Sequence, residues 1–335
     1  MKVLFYGFQH GHIFALYEKV KKCEELEIVA CIEDDAAKRE TLESAYGIPC
    51  VDGGLDAWLQ SDVDIVAIGD KYGRRGAAVI KALRAGKHVI VDKPLCTSID
   101  ELSEIITLSR EKDLKVGCMF ELRGTGGAYT LGEILRTERY GALKNIMFTG
   151  NHSVDYAHRP SWYFDEGMHG GTINDIAIHA VDIITYLTGL KFTKINGART
   201  WNAFADKTPD FMDSAVFMAE LAGGIGVIGD VSYSAPASQA FRMPTYWDFK
   251  FWCKNALVSY SLTKDEVTVY EEGKKEPEVL TNEGVGDDYL ACFMSDFKNN
   301  ERVFTESVLL ATMEALKLQE YADKAEACEI NYIGV

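Results

Sequence analysis

An acid and an imidazole stand four residues apart in the stretch Gly170-Gly171-Thr172-Ile173-Asn174-Asp175-Ile176-Ala177-Ile178-His179-Ala180-Val181-Asp182. Apolar residues at Ile173, Ile176, Ala177, Ala180, Val181, Ile184 and Leu187 recur at helical spacing, which sets Asp175 and His179 one turn apart on a common face. A carboxylate so placed can hold the imidazole in one tautomer and stabilise its protonated form while the ring exchanges a proton with substrate. Proton transfer is the chemistry this pattern points to. Asp182, three residues beyond His179, is an equal candidate for the partner, and a plain surface pair is the other reading. A metal site would draw on His152, His158 and His169, but their loose spacing fits no compact ligand pattern and no C-x-x-C occurs, so no metal is expected.

Groups of this kind need a scaffold, and the first third of the chain describes one. Short apolar runs alternate with amphipathic segments: Lys2 to Tyr6, then Ile13 to Lys21; Glu27 to Ile32, then Ala36 to Ala45; Asp64 to Ile68, then Gly76 to Ala85; His88 to Val91, then Ile99 to Glu111; and Leu114 to Met119. That alternation predicts a doubly wound α/β fold, a Rossmann-type parallel sheet covered on both faces by crossover helices. Ligands in such a fold bind at the carboxyl ends of the strands. After the first run comes Gly7-Phe8-Gln9-His10-Gly11-His12, where Gly7 suits a tight turn but Gln9 and His12 replace the small residues of a dinucleotide fingerprint. After the second stand Glu33, Asp34 and Asp35; Glu33 is placed to accept from ribose hydroxyls, and the alternative is that these acids cap the next helix. Three acids there would repel a 2′-phosphate, which favours NAD over NADP. Val91-Asp92-Lys93-Pro94 then presents an ammonium at the same edge of the sheet on a backbone stiffened by proline.

Beyond about Met119 the alternation stops. A helical segment from Tyr129 to Arg136 leads into a β-rich run from Leu143 to His152, and strand-like runs follow the central helix: Phe192 to Trp201, Ser214 to Leu221, Ile225 to Ser232, Trp247 to Cys253, Leu257 to Leu262 and Glu266 to Tyr270. Strands without intervening helices predict a large open, mainly antiparallel sheet in an α+β domain. The expected division is 1–122 for dinucleotide binding and 123–335 for substrate binding and oligomerisation, with two helices, Asp288 to Lys298 and Glu306 to Ala322, closing the chain. The broad sheet is the expected surface for a homodimer or homotetramer.

With 335 residues, 47% hydrophobic and 26% charged, the composition is that of a folded soluble chain of two domains. A net charge of −16 excludes nucleic acid or an anionic membrane as the main partner and leaves a small molecule. The N-terminus lacks a signal-peptide pattern and no stretch has the length of an apolar span, so a cytoplasmic location is expected. The eight cysteines (Cys23, Cys31, Cys50, Cys96, Cys118, Cys253, Cys292 and Cys328) are dispersed, as reduced residues are.

Two longer motifs, taken together, resemble the Gfo/Idh/MocA family of nicotinamide-dependent oxidoreductases, which act mostly on sugars, polyols and their derivatives. Ala85-Gly86-Lys87-His88-Val89-Ile90-Val91-Asp92-Lys93-Pro94-Leu95 is similar to the family's A-G-K-H-V-x-x-E-K-P-L with Asp for Glu, and Gly170-Gly171 through Asp175 and His179 is similar to its G-G-G-x-x-x-D-x-G-x-H. The resemblance covers nearly the whole chain. It implies NAD held by Gly7, Phe8, Gln9, His10, Glu33, Gly69, Asp92 and Lys93, with Lys93 contacting substrate hydroxyl and nicotinamide ribose and with Asp175 and His179 as an acid/base pair. It implies substrate contacts from Arg123 and from the loop Arg159-Pro160-Ser161-Trp162-Tyr163-Phe164-Asp165, in which Trp162 offers a face for a sugar ring and Arg159 a handle for a carboxylate or phosphate. An aromatic plug between domains is the other reading of Trp162.

The departures lie on the nucleotide side or its rim. They are the degenerate glycine loop, Gly69-Asp70-Lys71-Tyr72-Gly73-Arg74-Arg75 in place of T-P-N-x-x-H, and Gly117-Cys118-Met119-Phe120-Glu121-Leu122-Arg123 without the frequent Asn. The expected function is NAD(H)-dependent oxidation or reduction of a secondary alcohol of a sugar, polyol or derivative. The rivals are an NAD-dependent glycosidase or lyase using transient oxidation, and a non-catalytic sensor or partner subunit of the same fold.

Overall fold

Strands that are apolar on both faces must be covered on both, and the N-terminal strands are. The computed structural model describes residues 1–237, 243–282 and 284–326. Its first part runs β1 (Lys2–Tyr6), α1 (His12–Lys22), β2 (Glu27–Ile32), α2 (Ala36–Tyr46), α3 (Leu55–Trp58), β3 (Ile65–Ile68), α4 (Tyr72–Arg84), β4 (His88–Val91), α5 (Ile99–Glu111) and β5 (Val116–Cys118). The strands form one parallel sheet in the order β2-β1-β3-β4-β5, and β3 is buried along its whole length. Helix starts follow their capping residues: the Asp35 side chain accepts from the Lys38 N–H at 2.9 Å to open α2, and Ser98 accepts from the Glu101 N–H at 3.2 Å to open α5. Of the three acids after β2, then, Asp35 is a cap and Glu33 is not. The short α3 carries too little periodicity to be read from sequence.

The second part comprises α6 (Gly126–Arg136), β6 (Leu143–Asn151), α7 (Ile178–Thr188), β7 (Phe192–Trp201), β8 (Ser214–Leu221), β9 (Ile225–Ser232), β10 (Asp248–Cys253), β11 (Ala256–Ser261), β12 (Glu266–Glu271), β13 (Glu278–Leu280), α8 (Tyr289–Lys298) and α9 (Val303–Lys324). Eight strands pair in the order β13-β12-β11-β10-β6-β9-β8-β7, antiparallel throughout except between β6 and β9. Inward residues such as Phe148, Phe217, Phe249 and Phe251 are buried, whereas Met218, Ile228, Trp252 and Tyr270 stand exposed on the open face. Met218 lies directly opposite Ile228, and Ile228 opposite Met147, so apolar side chains run across several strands.

Two cores result, but they do not divide at residue 122. Phe293 of α8 and Phe304, Val308 and Ala315 of α9 pack into the core of the parallel sheet, while Leu318 and Ala322 of the same α9 pack into the core of the second. The chain thus returns to its first sheet after building the second, and α9 ties them together. Among the described residues no helix is long and apolar enough to cross a membrane. Cys23, Cys31, Cys50, Cys96, Cys118, Cys253 and Cys292 are free, and Cys328 lies outside the described residues.

One buried acid on α9 links stability to pH. Glu314 accepts from the Phe192 N–H at 2.9 Å and the Thr185 hydroxyl at 3.3 Å. Burial pushes its carboxyl from 4.5 up to about 7, against these hydrogen bonds. The folded state therefore binds this proton more tightly than the unfolded one, and the stability so gained is complete below pH 4.5 and lost as pH rises through about 7. Its span is about 3 kcal/mol. Glu314→Gln should flatten the fall of unfolding free energy between pH 5 and 8 in urea titrations; slopes identical in variant and parent would refute the assignment.

Candidate active site

The carboxyl edge of the parallel sheet gathers the candidate groups. After β1 the chain turns at Gly7, whose φ of +76° and close approach to the Asp70 backbone, 2.7 Å from where a Cβ would sit, leave room for no side chain. The Gln9 N–H donates to the Gly69 carbonyl at 2.9 Å, tying this loop to the one after β3. Glu33 is buried at the end of β2, and its carboxylate accepts from the Phe8 N–H at 2.7 Å and from the Gln9 side-chain amide at 2.8 Å. Gln9 therefore points at the acid expected to receive a ribose. A cavity of about 220 Å³ opens beside them, lined by Tyr6, Gln9, Glu33, Asp70, Lys71 and Arg74 among others.

Beneath the turn after β4 lies Arg75, fully buried. Its guanidinium donates to the Asp70 carbonyl at 2.7 Å, to the Asp92 carbonyl at 2.7 Å, to the Lys93 carbonyl, and to Asp92 Oδ2 at 3.1 Å. This floor holds Lys93 upward. Its Nζ donates to Asp175 Oδ1 at 2.6 Å and to the Asp175 carbonyl at 3.0 Å.

Asp175 does not hold His179, contrary to the pairing expected from their spacing. Residues Ile173–Ala177 form a turn of π-helix leading into α7, and Gly171, with a φ of +94° and Gln319 where a Cβ would go, brings the chain in against α9. The Asp175 carboxylate is then claimed by nearer donors. Beyond Lys93, its Oδ2 accepts from the Tyr163 hydroxyl at 2.8 Å and from the Tyr233 hydroxyl, and His169 Nε2 stands 3.3 Å away. The Tyr72 hydroxyl meets that of Tyr163 at 2.9 Å. Burial alone would raise the Asp175 carboxyl, but the Lys93 ammonium and the His169 contact overcome it and hold the group well below the usual carboxylate range.

His179 is buried near the start of α7, 5.6 Å between ring centroids from Trp247 and 6.3 Å from His12, and its Nδ1 makes no hydrogen bond. Burial first, and then the charges of Lys93, His12 and His152, push its pKa well below the ordinary value. The ring is neutral at pH 7 and keeps a lone pair. Asp182, the other expected partner, is taken by Arg123, whose Nε donates to it at 2.8 Å. Arg123 is thereby part of a buried ion pair that also reaches Ser307 at 3.2 Å, on the wall of a cavity of about 460 Å³ that is lined by neither Lys93, Asp175 nor His179. Trp162 is likewise buried, 5.1 Å from the Tyr72 ring and 5.0 Å from the Tyr163 ring, so it packs between the two sheets and shows no face to a ligand.

Arg159 does reach an opening. A cavity of about 710 Å³ is bordered by His10, His152, Arg159, Tyr163, Met243 and Tyr246 among others. The Arg159 guanidinium lies 4.7 Å from both the Tyr163 and Tyr233 rings and donates to the Ser153 and Val154 carbonyls at 2.8 and 2.9 Å. The three histidines expected as possible metal ligands form no cluster among the described residues: His152 and His158 both border this cavity, His158 pairing with Asp155 at the surface, and His169 faces Asp175. A different trio, His10, His12 and Asp92, converges instead. Sequence reasoning missed the roles of Arg75, Tyr72, Tyr163, His169 and Tyr233; Tyr163 and His169 flank motifs it did single out, whereas nothing in the sequence pairs Tyr233 with Asp175.

A parallel nucleotide-type sheet joined to an open antiparallel one, with a buried lysine–aspartate pair and a neutral histidine between them, defines a two-domain oxidoreductase class. Residues 2–120 match the model described as the oxidoreductase family, NAD-binding Rossmann fold, and residues 129–249 match the GFO/IDH/MocA C-terminal domain. The chain belongs to the GFO/IDH/MocA family of oxidoreductases. Levoglucosan dehydrogenase of Pseudarthrobacter phenanthrenivorans is 27% identical over 146 residues, 42% of this chain and 37% of its own length. D-xylose dehydrogenase of Paenarthrobacter nicotinovorans is 24% identical over 188 residues, 51% of this chain and 48% of its own. The match thus spans less than half the length of either relative. A solved structure of a protein from Erwinia carotovora atroseptica described as an oxidoreductase shares the fold, with a TM-score of 0.86 at 19% identity over 96% of this chain and 98% of that one.

Proposed function

We propose that the protein moves a hydride between NAD and a secondary alcohol of a sugar, polyol or derivative. The observation that carries this reading is the Lys93 ammonium, held at 2.6 Å by a buried Asp175 with the neutral His179 close by. The dinucleotide would be held by Gly7, Phe8, Gln9, His10, Glu33, Gly69, Asp92 and Lys93. The residues fit it: Gly7 leaves the turn bare, and the Gln9 side chain can swing off Glu33 to free the carboxylate for ribose hydroxyls. Glu33 and Asp34 favour NAD over NADP by charge. Bound nicotinamide supplies the hydride acceptor or donor.

The chain's own groups supply the rest. Lys93 stabilises negative charge growing on the alcohol oxygen, and His179 takes the hydroxyl proton on its free lone pair. Asp175 does not exchange that proton; it holds the Lys93 ammonium in place. Arg159 is the handle for an anionic or strongly polar end of the substrate.

Thermal unfolding with saturating NAD, NADH or NADP tests the cofactor assignment, since a ligand at a hundred times its dissociation constant adds about 2.7 kcal/mol. A rise with NAD or NADH and a smaller one with NADP is expected. No rise with any of them, in protein free of bound nucleotide, would reject the dehydrogenase in favour of the sensor reading. His179→Ala should lower kcat by about 10²–10⁴-fold and leave the dinucleotide-induced rise in Tm intact; loss of that rise would count against the role given to His179.

The open sheet face is the proposed homodimer or homotetramer surface, because Met218, Ile228, Trp252 and Tyr270 expose apolar area across adjacent strands. Ile228→Lys should shift the mass seen by light scattering to that of one chain. An oligomer of unchanged mass would place the interface elsewhere.

A further inference from the structure

We propose that His10, His12 and Asp92 bind one divalent transition-metal ion of the zinc and cobalt kind. One ligand atom from each lies within 4.8 Å of the others: His10 and His12 stand together where the loop after β1 enters α1, and Asp92 comes from the turn after β4. His10 Nδ1 is 2.7 Å from Asp92 Oδ2, and His12 Nδ1 is 3.4 Å from Asp92 Oδ1. The two imidazoles meet edge to face with centroids 4.5 Å apart.

Two observations separate this cluster from an ordinary hydrogen-bonded group. Asp92 is fully buried, yet its Oδ1 has no hydrogen-bond partner, and neither does His12 Nδ1 facing it. Their 3.4 Å contact falls short of a well-formed hydrogen bond, and a buried carboxylate oxygen so left is unfavourable by about 1–3 kcal/mol. An ion between them satisfies both. Ligand atoms about 2.0–2.2 Å from a tetrahedral ion lie roughly 3.4 Å from one another, the spacing already present between His12 and Asp92.

The donor set selects the metal. Two imidazoles and one carboxylate suit zinc, cobalt or ferrous iron rather than calcium or magnesium, which prefer oxygen ligands alone. Arg75 at 3.1 Å and His10 Nδ1 at 2.7 Å both lie on Asp92 Oδ2, so Oδ1 is the carboxylate ligand atom, His10 gives up that hydrogen bond to reach the ion, and the affinity is moderate. Three protein ligands leave a coordination position open, and His10 also borders the cavity that Arg159 lines. A water or a substrate hydroxyl is the natural fourth ligand.

His10 and Asp92 also stand among the residues proposed to hold the dinucleotide, so ion and dinucleotide are alternative occupants of this corner; the test needs no dinucleotide and does not depend on hydride transfer. Chelator-treated full-length protein is titrated with Co²⁺, read by visible d–d absorption, and dialysed against Zn²⁺ with metal content measured per chain. One bound ion is expected. His10→Ala and His12→Ala should each weaken binding at least about tenfold, whereas His158→Ala, at a surface histidine paired with Asp155, should leave it unchanged. His12 is a third exposed, with 34% of its side chain accessible, so that variant tests binding without disturbing the core; circular dichroism confirms its fold. Absence of stoichiometric binding, or equal binding in the parent, His10→Ala and His12→Ala, overturns the site.

Discussion

Lys93→Met is expected to lower kcat by about a thousand-fold, the usual scale for losing a donor aimed at developing charge. The same change should destabilise the protein by about 3–5 kcal/mol, because it leaves a buried carboxylate without its cation. Asp175 would keep its Tyr163, Tyr233 and His169 contacts, which puts the expected loss at the lower end of that range. A second substitution separates the two effects. In Lys93→Met with Asp175→Asn no buried charge remains unpaired, so stability should recover while turnover does not. Turnover within tenfold of the parent in Lys93→Met would remove the ammonium from the mechanism, and a double variant that regained activity with stability would make the pair structural only. Single-turnover rates and urea unfolding on the same preparations decide between these outcomes.

What the sequence disclosed and what it hid follow from the range of the interactions. The parallel sheet was legible because Ile65–Ile68 and His88–Val91 are apolar on both faces, and a run of that kind leaves few alternatives. The second sheet was legible from strand-like runs that follow one another without intervening helices, as at Ser214–Leu221 and Ile225–Ser232. Pairings made across the fold were not. Asp175 and His179 have the spacing of a helical pair, yet Lys93, Tyr163 and Tyr233 reach the carboxylate from other elements, and a local pattern contains no trace of them. Arg123 and Asp182, separated by 59 positions, became a buried ion pair for the same reason. The histidines tell it most plainly. His152, His158 and His169 are near in sequence yet form no cluster among the described residues, whereas Asp92, at the end of β4, joins His12 and also His10, 82 positions away.

Arg75 is where that long-range logic should have its largest effect on stability. Its guanidinium serves the Asp70, Asp92 and Lys93 carbonyls and the Asp92 carboxylate at once, with no exposed surface. Arg75→Met keeps most of the volume but strands these acceptors and leaves Asp92 without its guanidinium, so a loss of about 3–5 kcal/mol in urea unfolding is expected. Arg75→Lys should recover little of it, since one ammonium cannot match the planar fork that reaches several carbonyls and a carboxylate together. A loss below about 1 kcal/mol for Arg75→Met would mean that water replaces the guanidinium and that the floor is not closed. The turn that carries Lys93 rests on this floor, so kcat should fall in both variants even where enough native protein remains to bind substrate. Stability lost with kcat per folded molecule unchanged would show that Lys93 is aimed by Asp175 alone, from the turn before α7, and that the first sheet merely delivers it there.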